Sequence, residues 1–496
     1  MLQTPEDRTL NIEHPTSDDE AAHPWNRNLL IVFLVWAAIY LPGLGTLEIK
    51  GEEGRRILPA VKMLQTGNYV VPYVGSEPYF TKPPLVNWLV AGSFKLVGHR
   101  SEWAARLPSV LCVLAVALAF VSIGRTSLGA HGSVIGALVW LTNFGMIEKG
   151  RLIEIEAVYV SLFGLAMICW MSWWQPRSKW LTWTVPWVFL GLGLLAKGPV
   201  HLVFFYAAVL AVLYRAGELR RIWSAAHLAG IALMVGIFAA WAVPCLQLMR
   251  ETDIPQIWTR QLSGRLAGED FKLIGWLLNI PRGIAYFLPW VLLFPFAKWS
   301  LFSRDGRNGE RALIWAIGLS FVGVSLLPGS LPRYTMPLLV PAAWLLAVLL
   351  ARQQFSLPRV LTFQKPAALP FELRLPALIA AVVCLAIALY AFAAMPFLQK
   401  RQKVRNIAAQ INSLVPPAEP LYAVDPDYQP FLFYVREPIL YVDRVAQVPA
   451  AANYLLVQPG KLQSAVNSAQ WQPRKAQPIL RLTDYRQKEV IVLQIK

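Results

Sequence analysis

The chain has 496 residues, of which 56% are hydrophobic and only 15% charged, and its formal net charge is +17. This composition excludes an ordinary soluble protein, which carries more charge at this length. The cations lie mainly in short connections between apolar runs, and no soluble basic face is interleaved with aromatic residues. The charge therefore indicates membrane topology and excludes nucleic acid as a partner.

Apolar runs of about 20 residues, long enough to cross a bilayer core as a helix, recur along the chain. We predict an α-helical polytopic membrane protein with about 11–13 transmembrane helices. The predicted spans cover residues 28–46, 103–124, 132–147, 156–175, 180–197, 199–214, 226–248, 283–302, 310–328, 333–352 and 375–398. With a cytoplasmic N-terminus the short inner loops are rich in Lys and Arg, as the positive-inside tendency requires.

Three regions are predicted. Residues 1–27 are polar and acidic and predict a disordered cytoplasmic tail, and residues 28–398 form the transmembrane catalytic domain with long outer loops at 47–102 and 249–282. Within 52–65, apolar residues at helical spacing predict an amphipathic helix on the membrane surface. Residues 399–496 form a soluble domain, which an odd number of spans places on the non-cytoplasmic side.

The C-terminal domain is predicted to be a small α/β domain. Short alternating or apolar segments predict its strands at residues 420–425, 438–443, 453–458, 478–483 and 489–495. Helical patterns lie at residues 401–414 and 460–469.

Two adjacent carboxylates, Glu52 and Glu53, follow the first span directly. Neighbouring side chains on a helix point in different directions, so one carboxylate can serve as a base or metal ligand while the other anchors the structure. The alternative is a solvated ion-pair face, because Arg55 and Arg56 lie three and four positions after Glu52.

Further charged residues gather in the outward-facing connections. Lys82 precedes Pro83, which favours an extended backbone and presents the lysine to an anion; the alternative is an interfacial anchor. Glu156 lies against an apolar run, where an ionisable group is costly and usually functional, although a carboxylate also stabilises a helix N-terminus. Lys197 lies at the turn between two spans and Arg333 opens a later span; each suits either an anion site or interface anchoring.

In order along the chain, these segments resemble the integral-membrane C-type glycosyltransferases. The nearest branch contains the protein O-mannosyltransferases and the lipid A aminoarabinose transferase. The matching motifs are Glu52-Glu53-Gly54-Arg55, Gly67-Asn68-Tyr69-Val70-Val71-Pro72, Phe80-Thr81-Lys82-Pro83, Arg106-Leu107-Pro108-Ser109, Arg151 to Glu156, Lys197-Gly198-Pro199, Gln261-Leu262-Ser263-Gly264-Arg265, Leu288-Pro289-Trp290 and Leu331-Pro332-Arg333-Tyr334. Together they cover roughly residues 28–350.

The resemblance implies a C-type glycosyltransferase fold and a role for each matching residue. Glu52 and Glu156 correspond to the two catalytic carboxylates. The residues that correspond to donor-phosphate ligands are Arg55, Lys82, Arg265 and Tyr334, and those with a supporting role are Glu53, Arg151, Lys197 and Arg333. The family also allows a divalent metal cation at Glu52 and Glu156 and implies no other cofactor.

The chain departs from the family's pattern at several positions. Glu52 and Glu156 stand where Asp is usual, so each carboxylate is one methylene longer. Thr81 stands where the lipid A enzyme has Glu before the lysine, and Ser330 replaces a lysine. A cationic amino sugar would need that extra carboxylate, so an unspecified hexose or pentose is the expected sugar.

The predicted function is therefore a membrane glycosyltransferase. It moves a sugar from a polyprenyl-phosphate donor to a lipid, glycan or protein acceptor, with inversion at the anomeric carbon. The expected location is the bacterial inner membrane, with the active site and the C-terminus on the periplasmic face and membrane lipids as further partners. The alternatives are a lipid or glycan transporter and a catalytically inactive scaffold homologue.

Overall fold

A computed structural model describes residues 25–496 except 176, 251, 268–270, 299–307, 357–368, 427–428, 437 and 485–486. At 261–262, 265–267 and 308–309 the backbone alone is described. Residues 1–24 of the predicted tail lie outside the described residues. The predicted boundary between the tail and the transmembrane domain, at residue 27, differs from the structure, because the first helix already begins at Trp25.

The region before residue 400 is built almost entirely of helices. Their bounds are α1 Trp25–Tyr40, α2 Gly54–Thr66, α3 Leu85–Val97, α4 Glu102–Ser122, α5 Arg125–Thr142, α6 Phe144–Gly150, α7 Ile155–Trp173, α8 Lys179–Ala196, α9 Val200–Ala216, α10 Ala225–Leu248, α11 Ile254–Ala267, α12 Leu273–Leu277, α13 Asn279–Ala285, α14 Asn308–Leu326, α15 Leu339–Ala351, α16 Phe371–Leu389 and α17 Met395–Gln399. The predicted amphipathic helix is α2, which packs its apolar side inward and leaves Gln65 and Thr66 exposed.

Several helices have the length and composition of membrane spans. Within the described part of the chain, six helices qualify, or seven if α5 and α6 form one span bent by 59°. Three apolar helices, α1, α3 and α9, are shorter. The chain is thus a multi-pass membrane protein, and its described residues hold fewer full-length helices than the 11–13 expected.

The predicted span at residues 283–302 is wrong as a continuous helix. Residues 283–302 contain the end of α13 and then a 3₁₀ segment, Trp290–Phe296. Pro289 and Pro295 lack the backbone N–H that an α-helix needs, and their rings obstruct the preceding turn. The apolar composition of this stretch was recognised, but the prolines break it into short pieces.

Among the candidate spans, α7 is the most deeply buried, with 89% of its apolar window covered by protein. It packs against α4, α8 and α15, and α8 packs in turn against α10. Large aromatic side chains fill the space around the far end of α7, including Trp170, Trp183 and Trp187, each at most 2% exposed. The rigid centre of the bundle therefore holds the first turn of α7 in place.

The C-terminal domain is a five-stranded sheet with two helices. After the short hairpin of β1 Tyr73–Val74 and β2 Glu77–Pro78 in the first outer loop, its strands and helices are α18 Val404–Leu414, β3 Leu421–Val424, β4 Ile439–Val442, β5 Tyr454–Val457, α19 Pro459–Val466, β6 Ala476–Thr483 and β7 Glu489–Ile495. The strand order is β4-β3-β5-β7-β6, with β3 parallel to both neighbours and β7 antiparallel to both of its own. All five predicted strands and both helices are confirmed.

This domain rests on the first outer loop. The carboxylate of Glu48 accepts hydrogen bonds from the first backbone N–H groups of α18, at 3.2 Å from Lys403, 2.9 Å from Val404 and 3.1 Å from Arg405. A carboxylate at a helix N-terminus satisfies these otherwise unpaired donors and complements the helix dipole. The segment between α1 and α2 is thereby tied to the C-terminal domain.

Candidate active site

Glu53 anchors the segment between α1 and α2. Its two carboxylate oxygens accept hydrogen bonds from Nε and Nη2 of Arg106, both at 2.9 Å, and Oε1 also accepts the N–H of Ile153 at 3.1 Å. Arg106 donates further to the carbonyls of Leu44 and Leu47, at 2.8 and 2.9 Å. Since both charged side chains are buried, this two-point pair holds the segment rigidly. Glu53 is therefore the structural member of the carboxylate pair.

Glu52 points the other way, into a more open environment. Its side chain is 40% exposed and forms a 3.1 Å ion pair with Arg55. Gly51 has φ +60°, which glycine adopts without a steric cost, and a 3₁₀ turn over Gly51–Glu53 leads into α2. The turn thus separates the two neighbouring carboxylates, one inward and one outward, as the sequence predicts.

Glu156 lies in the first turn of α7 and is buried, with 6% of the residue exposed. Its Oε1 is 3.1 Å from Nζ of Lys197 and 3.1 Å from Nε of Arg333. Glu154 is extended at ψ 147°, so the helix begins only at Ile155. Two cations from distant parts of the chain therefore meet one buried carboxylate at a helix N-terminus.

Lys197 is held at the turn between α8 and α9. The helix ends there because Gly198 has φ +112°, and α9 follows directly. The Lys197 ammonium lies 5.2 Å from the ring centre of Tyr159 and 4.9 Å from that of Tyr334. Aromatic faces at this distance attract a cation and exclude water from it.

Arg333 connects the two predicted catalytic carboxylates. It interacts electrostatically with Glu52 and Glu154 as well as with Glu156. The Nε of Arg333 is close enough to Glu156 for an ion pair but is not aligned for a hydrogen bond. This buried N–H therefore has no hydrogen-bond acceptor among the described residues. The structure therefore brings Glu52, Glu156 and Arg333 into one neighbourhood.

Glu154 and Lys149 flank this neighbourhood. Burial raises the pKa of Glu154 above its usual value, against the opposing charge of Lys149, whose Nζ is 3.3 Å away. Lys149 also pairs with Glu148 at 2.9 Å. A second layer of alternating charge therefore surrounds Glu156, and it consists of Glu148, Lys149 and Glu154.

One predicted site residue, Arg151, does not join this group. Arg151 donates instead to the backbone carbonyls of Ile39 and Pro42, the last of which follows the end of α1. The loop carrying Lys82 is fixed by a 2.9 Å hydrogen bond from Trp258 to the carbonyl of Phe80. Arg265 lies on α11, the helix that carries Trp258, but its side chain is outside the described residues.

Arg151 is thus a structural cation rather than part of the pocket. Exposed carbonyls at a helix C-terminus carry partial negative charge, and a guanidinium satisfies them well. Burial lowers the pKa of Arg151, although the Tyr40 hydroxyl opposes this change. Its supporting role is to fix the end of α1 and the start of the acid-bearing segment.

Tyr159 was missed as a site residue by sequence reasoning. It lies three positions after Glu156, on the same side of α7, and its hydroxyl accepts the backbone N–H of His201 at 2.6 Å. The spacing from Glu156 was the available signal. Arg106 was recognised only as part of a motif, although it is the main partner of Glu53.

The described residues do not fit the predicted metal ion. Two cationic side chains already surround Glu156, and they would repel a divalent cation. Within the described ranges, no group of three His, Cys, Asp or Glu side chains is placed to hold a metal. The ion at Glu52 and Glu156 stays a prediction, and no step below uses it.

What the arrangement can do follows from its charges. A single buried carboxylate, that of Glu156, pairs with two cations, Lys197 and Arg333. These three side chains together carry a net positive charge, which suits the binding of an oxyanion. Glu52, half-exposed on the same side, is accessible to a proton. The site can therefore bind an anion and accept a proton beside it.

The chain is similar in sequence to a known family and to known transferases. Residues 81–243 match the profile of the dolichyl-phosphate-mannose-protein mannosyltransferase family. An undecaprenyl phosphate-alpha-4-amino-4-deoxy-L-arabinose arabinosyl transferase of Pseudomonas fluorescens is 25% identical over 63% of this chain and 57% of its own length. One from Pseudomonas savastanoi is 27% identical over 60% of this chain and 56% of its own length. The chain spans little more than half the length of these curated relatives.

The fold has a close counterpart among solved structures. ArnT from Cupriavidus metallidurans bound to undecaprenyl phosphate superposes with a TM-score of 0.69 at 18% identity, covering 95% of this chain and 98% of that one. The apo state of the same protein gives a TM-score of 0.67. The resemblance to the C-type integral-membrane glycosyltransferases, in the branch of the protein O-mannosyltransferases and lipid A aminoarabinose transferases, is therefore confirmed.

Proposed function

We propose that this protein is a glycosyltransferase that moves a sugar from a polyprenyl-phosphate donor to an acceptor lipid, glycan or protein. The observation that carries the proposal is the buried Glu156, held by Lys197 and Arg333 on the side where Glu52 emerges. A buried carboxylate such as that of Glu156 is costly and is retained where chemistry needs it.

The cations suit the leaving phosphate. As the bond to the sugar breaks, negative charge grows on the phosphate oxygen, and fixed donors aimed at that position lower the barrier. Lys197 and the Nε–H of Arg333 are such donors, with Tyr334 packed against the lysine. Glu156 keeps both cations in place. Arg55, Lys82 and Arg265 remain predicted phosphate ligands.

The reaction is an inverting displacement. The acceptor's hydroxyl oxygen attacks the anomeric carbon from the side opposite the phosphate, and the bond from that carbon to the phosphate oxygen breaks. The electron pair leaves with polyprenyl phosphate, while the hydroxyl proton passes to the carboxylate of Glu52. Glu52 is suited to this role because it is accessible and Glu53 fixes its backbone.

The sugar is a hexose or a pentose. The arabinosyl transferase relatives favour a pentose. Thr81, in place of a glutamate, argues against a cationic amino sugar, because no carboxylate stands at that position to pair with it. We infer that the site faces the periplasm at a bacterial inner membrane, where envelope lipids, lipopolysaccharide or proteins would be the acceptors.

Purified protein in nanodiscs, incubated with a radiolabelled polyprenyl-phosphate sugar and a membrane extract containing acceptors, tests the proposal. We expect free polyprenyl phosphate to appear together with label in the acceptor fraction. Glu52→Gln should prevent both, and Lys197→Ala should slow both strongly. Donor that stays intact but changes leaflet would support the transporter, and intact donor with no movement would support the inactive scaffold.

A further inference from the structure

A buried histidine, His201, lies directly behind the turn that carries Lys197. It belongs to the first turn of α9 and has no exposed surface. Its Nδ1 is 3.0 Å from the carbonyl oxygen of Gly198, and its Nε2 is 3.0 Å from that of Leu190 on α8. The ring therefore connects the C-terminal half of α8 to the start of α9. The mechanism described above gives this side chain no part.

The chain leaves room for this ring at Gly193 of α8. A Cβ atom at that position would lie 2.7 Å from Nε2 of His201, closer than side-chain atoms pack. The carbonyl of Gly193 also accepts the backbone N–H of Lys197 at 3.1 Å. Glycine destabilises a helix interior relative to alanine, and the close approach of the ring gives it a reason at this position.

Tyr159 attaches the same histidine to α7. Its hydroxyl accepts the backbone N–H of His201 at 2.6 Å, and the two rings meet edge to face with their centres 5.0 Å apart. The Tyr159 ring centre is also 5.2 Å from the Lys197 ammonium. Elements α7, α8 and α9 thus meet at His201, and the lysine leaves the turn beside them toward Glu156.

The turn needs such support because its backbone is not that of either flanking helix. Lys197 has φ −144° and ψ −23°, and Gly198 has φ +112°. The long Lys197 side chain must nevertheless keep its Nζ 3.1 Å from Oε1 of Glu156. A neutral imidazole donates from one nitrogen only, and a bond from His201 to the Gly198 carbonyl fixes the peptide group next to the lysine.

We propose that His201 is a positioning residue for Lys197 in sugar transfer. Its Nδ1–H holds the Gly198 carbonyl, and this bond fixes the backbone from which the lysine reaches Glu156 and the leaving phosphate. The kinetic consequence rests on the proposed function, whereas the placement of the ammonium does not. Misplacing a reacting group by about 1 Å costs up to about 10²-fold in rate, so losing His201 should cost no more than losing the lysine itself.

Steady-state kinetics of the full-length protein in nanodiscs, with the labelled donor varied in concentration, test this role. We expect His201→Leu to lower kcat about tenfold to a hundredfold and to change the donor KM little, because the lysine acts on charge that develops in the transition state. His201→Asn should recover part of kcat, since its amide nitrogen can replace Nδ1 as the donor to Gly198. In the Lys197→Ala background His201→Leu should have no further effect, because the residue that it positions is gone.

His227 supplies a matched control, because it is another buried histidine whose ring contacts a backbone carbonyl. It is 3% exposed, and its Nδ1 is 2.5 Å from the carbonyl oxygen of Ile222, in the connection that follows the other end of α9. We expect His227→Leu to lower the Tm but to keep the wild-type kcat. Gly193→Ala crowds the His201 ring instead of removing it, so it should lower kcat as His201→Leu does, and it replaces that variant if His201→Leu fails to fold.

A second measurement is independent of transfer. The rate at which N-hydroxysuccinimide acetate acetylates Lys197, followed by mass spectrometry, shows whether the ammonium stays in its ion pair, because only an accessible, deprotonated amine reacts. We expect His201→Leu to raise this rate and His227→Leu to leave it at the wild-type value.

The outcomes separate this role from the proposed function. If the wild-type protein shows no transfer, or if Lys197→Ala does not slow it, the proposed function or its use of the lysine fails, and acetylation alone decides whether His201 positions Lys197. In an active protein, wild-type kcat in folded His201→Leu, unchanged acetylation of Lys197, or an undiminished effect of His201→Leu in the Lys197→Ala background would each show that His201 is not a positioning residue.

Discussion

Glu52 and Glu53 are neighbours in the chain, yet their substitution should have opposite consequences. Glu53 and Arg106 are a buried pair with both side chains about 4% exposed or less, whereas the Glu52 side chain is 40% exposed. We expect Glu53→Gln to destabilise the protein and Glu52→Gln to abolish transfer while leaving stability nearly unchanged.

The magnitudes follow from burial. Removing one partner of a buried ion pair leaves the other charge uncompensated and costs about 3–5 kcal/mol. Arg106 would keep its backbone carbonyl partners, so the lower part of that range applies to Glu53→Gln. The exposed pair of Glu52 and Arg55 contributes about 0–1 kcal/mol, because water screens it.

Thermal unfolding in detergent measures how each substitution changes stability, and the labelled-donor assay measures how it changes transfer. Glu53→Gln should have a clearly lower Tm, because the buried Arg106 charge loses its carboxylate partner. Glu52→Gln should keep the wild-type Tm and release no polyprenyl phosphate. Full turnover by Glu52→Gln, or equal destabilisation by both single changes, would refute the assignment of one catalytic and one structural carboxylate.

Four further outcomes are expected. Lys197→Ala should lower the transfer rate about 10²–10³-fold, the effect of removing one fixed donor to a developing oxyanion, and Lys197→Arg should restore part of it. Lys82→Ala should abolish transfer without reducing the amount of protein in the membrane; wild-type turnover would exclude its role in donor binding. Because the pKa of Glu154 is raised above 4.5 in the folded protein, the Tm of the wild type should fall relative to that of Glu154→Gln as pH rises from about 4.5, and a constant difference would contradict this. The predicted metal ion is tested with EDTA: loss of transfer that Mg²⁺ or Mn²⁺ restores would confirm it, and unchanged transfer would refute it.

Local patterns were sufficient for much of the fold. Alternation and apolar runs identified all five strands of the C-terminal sheet, and helical spacing identified α2 and α18. The same reasoning failed at residues 283–302, where the apolar composition is right but Pro289 and Pro295 interrupt the helix. Hydropathy measures how apolar a segment is and does not register whether its backbone can stay helical.

For the site, the sequence determined which residue types are present and which motifs carry them. It also predicted that Glu52 and Glu53 would point in different directions. Only the tertiary structure decided which of the two is buried, because that depends on Arg106, more than fifty positions away.

The same holds for the partners of Glu156 and for Arg151. Nothing near Glu156 in the chain specifies that Lys197 and Arg333 will meet it, and nothing near Arg151 specifies that it will bind the end of α1. Helix and strand formation depends on neighbours within a few positions, so sequence alone predicts it well. Charge pairing depends on how whole helices pack, and the packing is decided by the shapes of side chains that are distant in sequence.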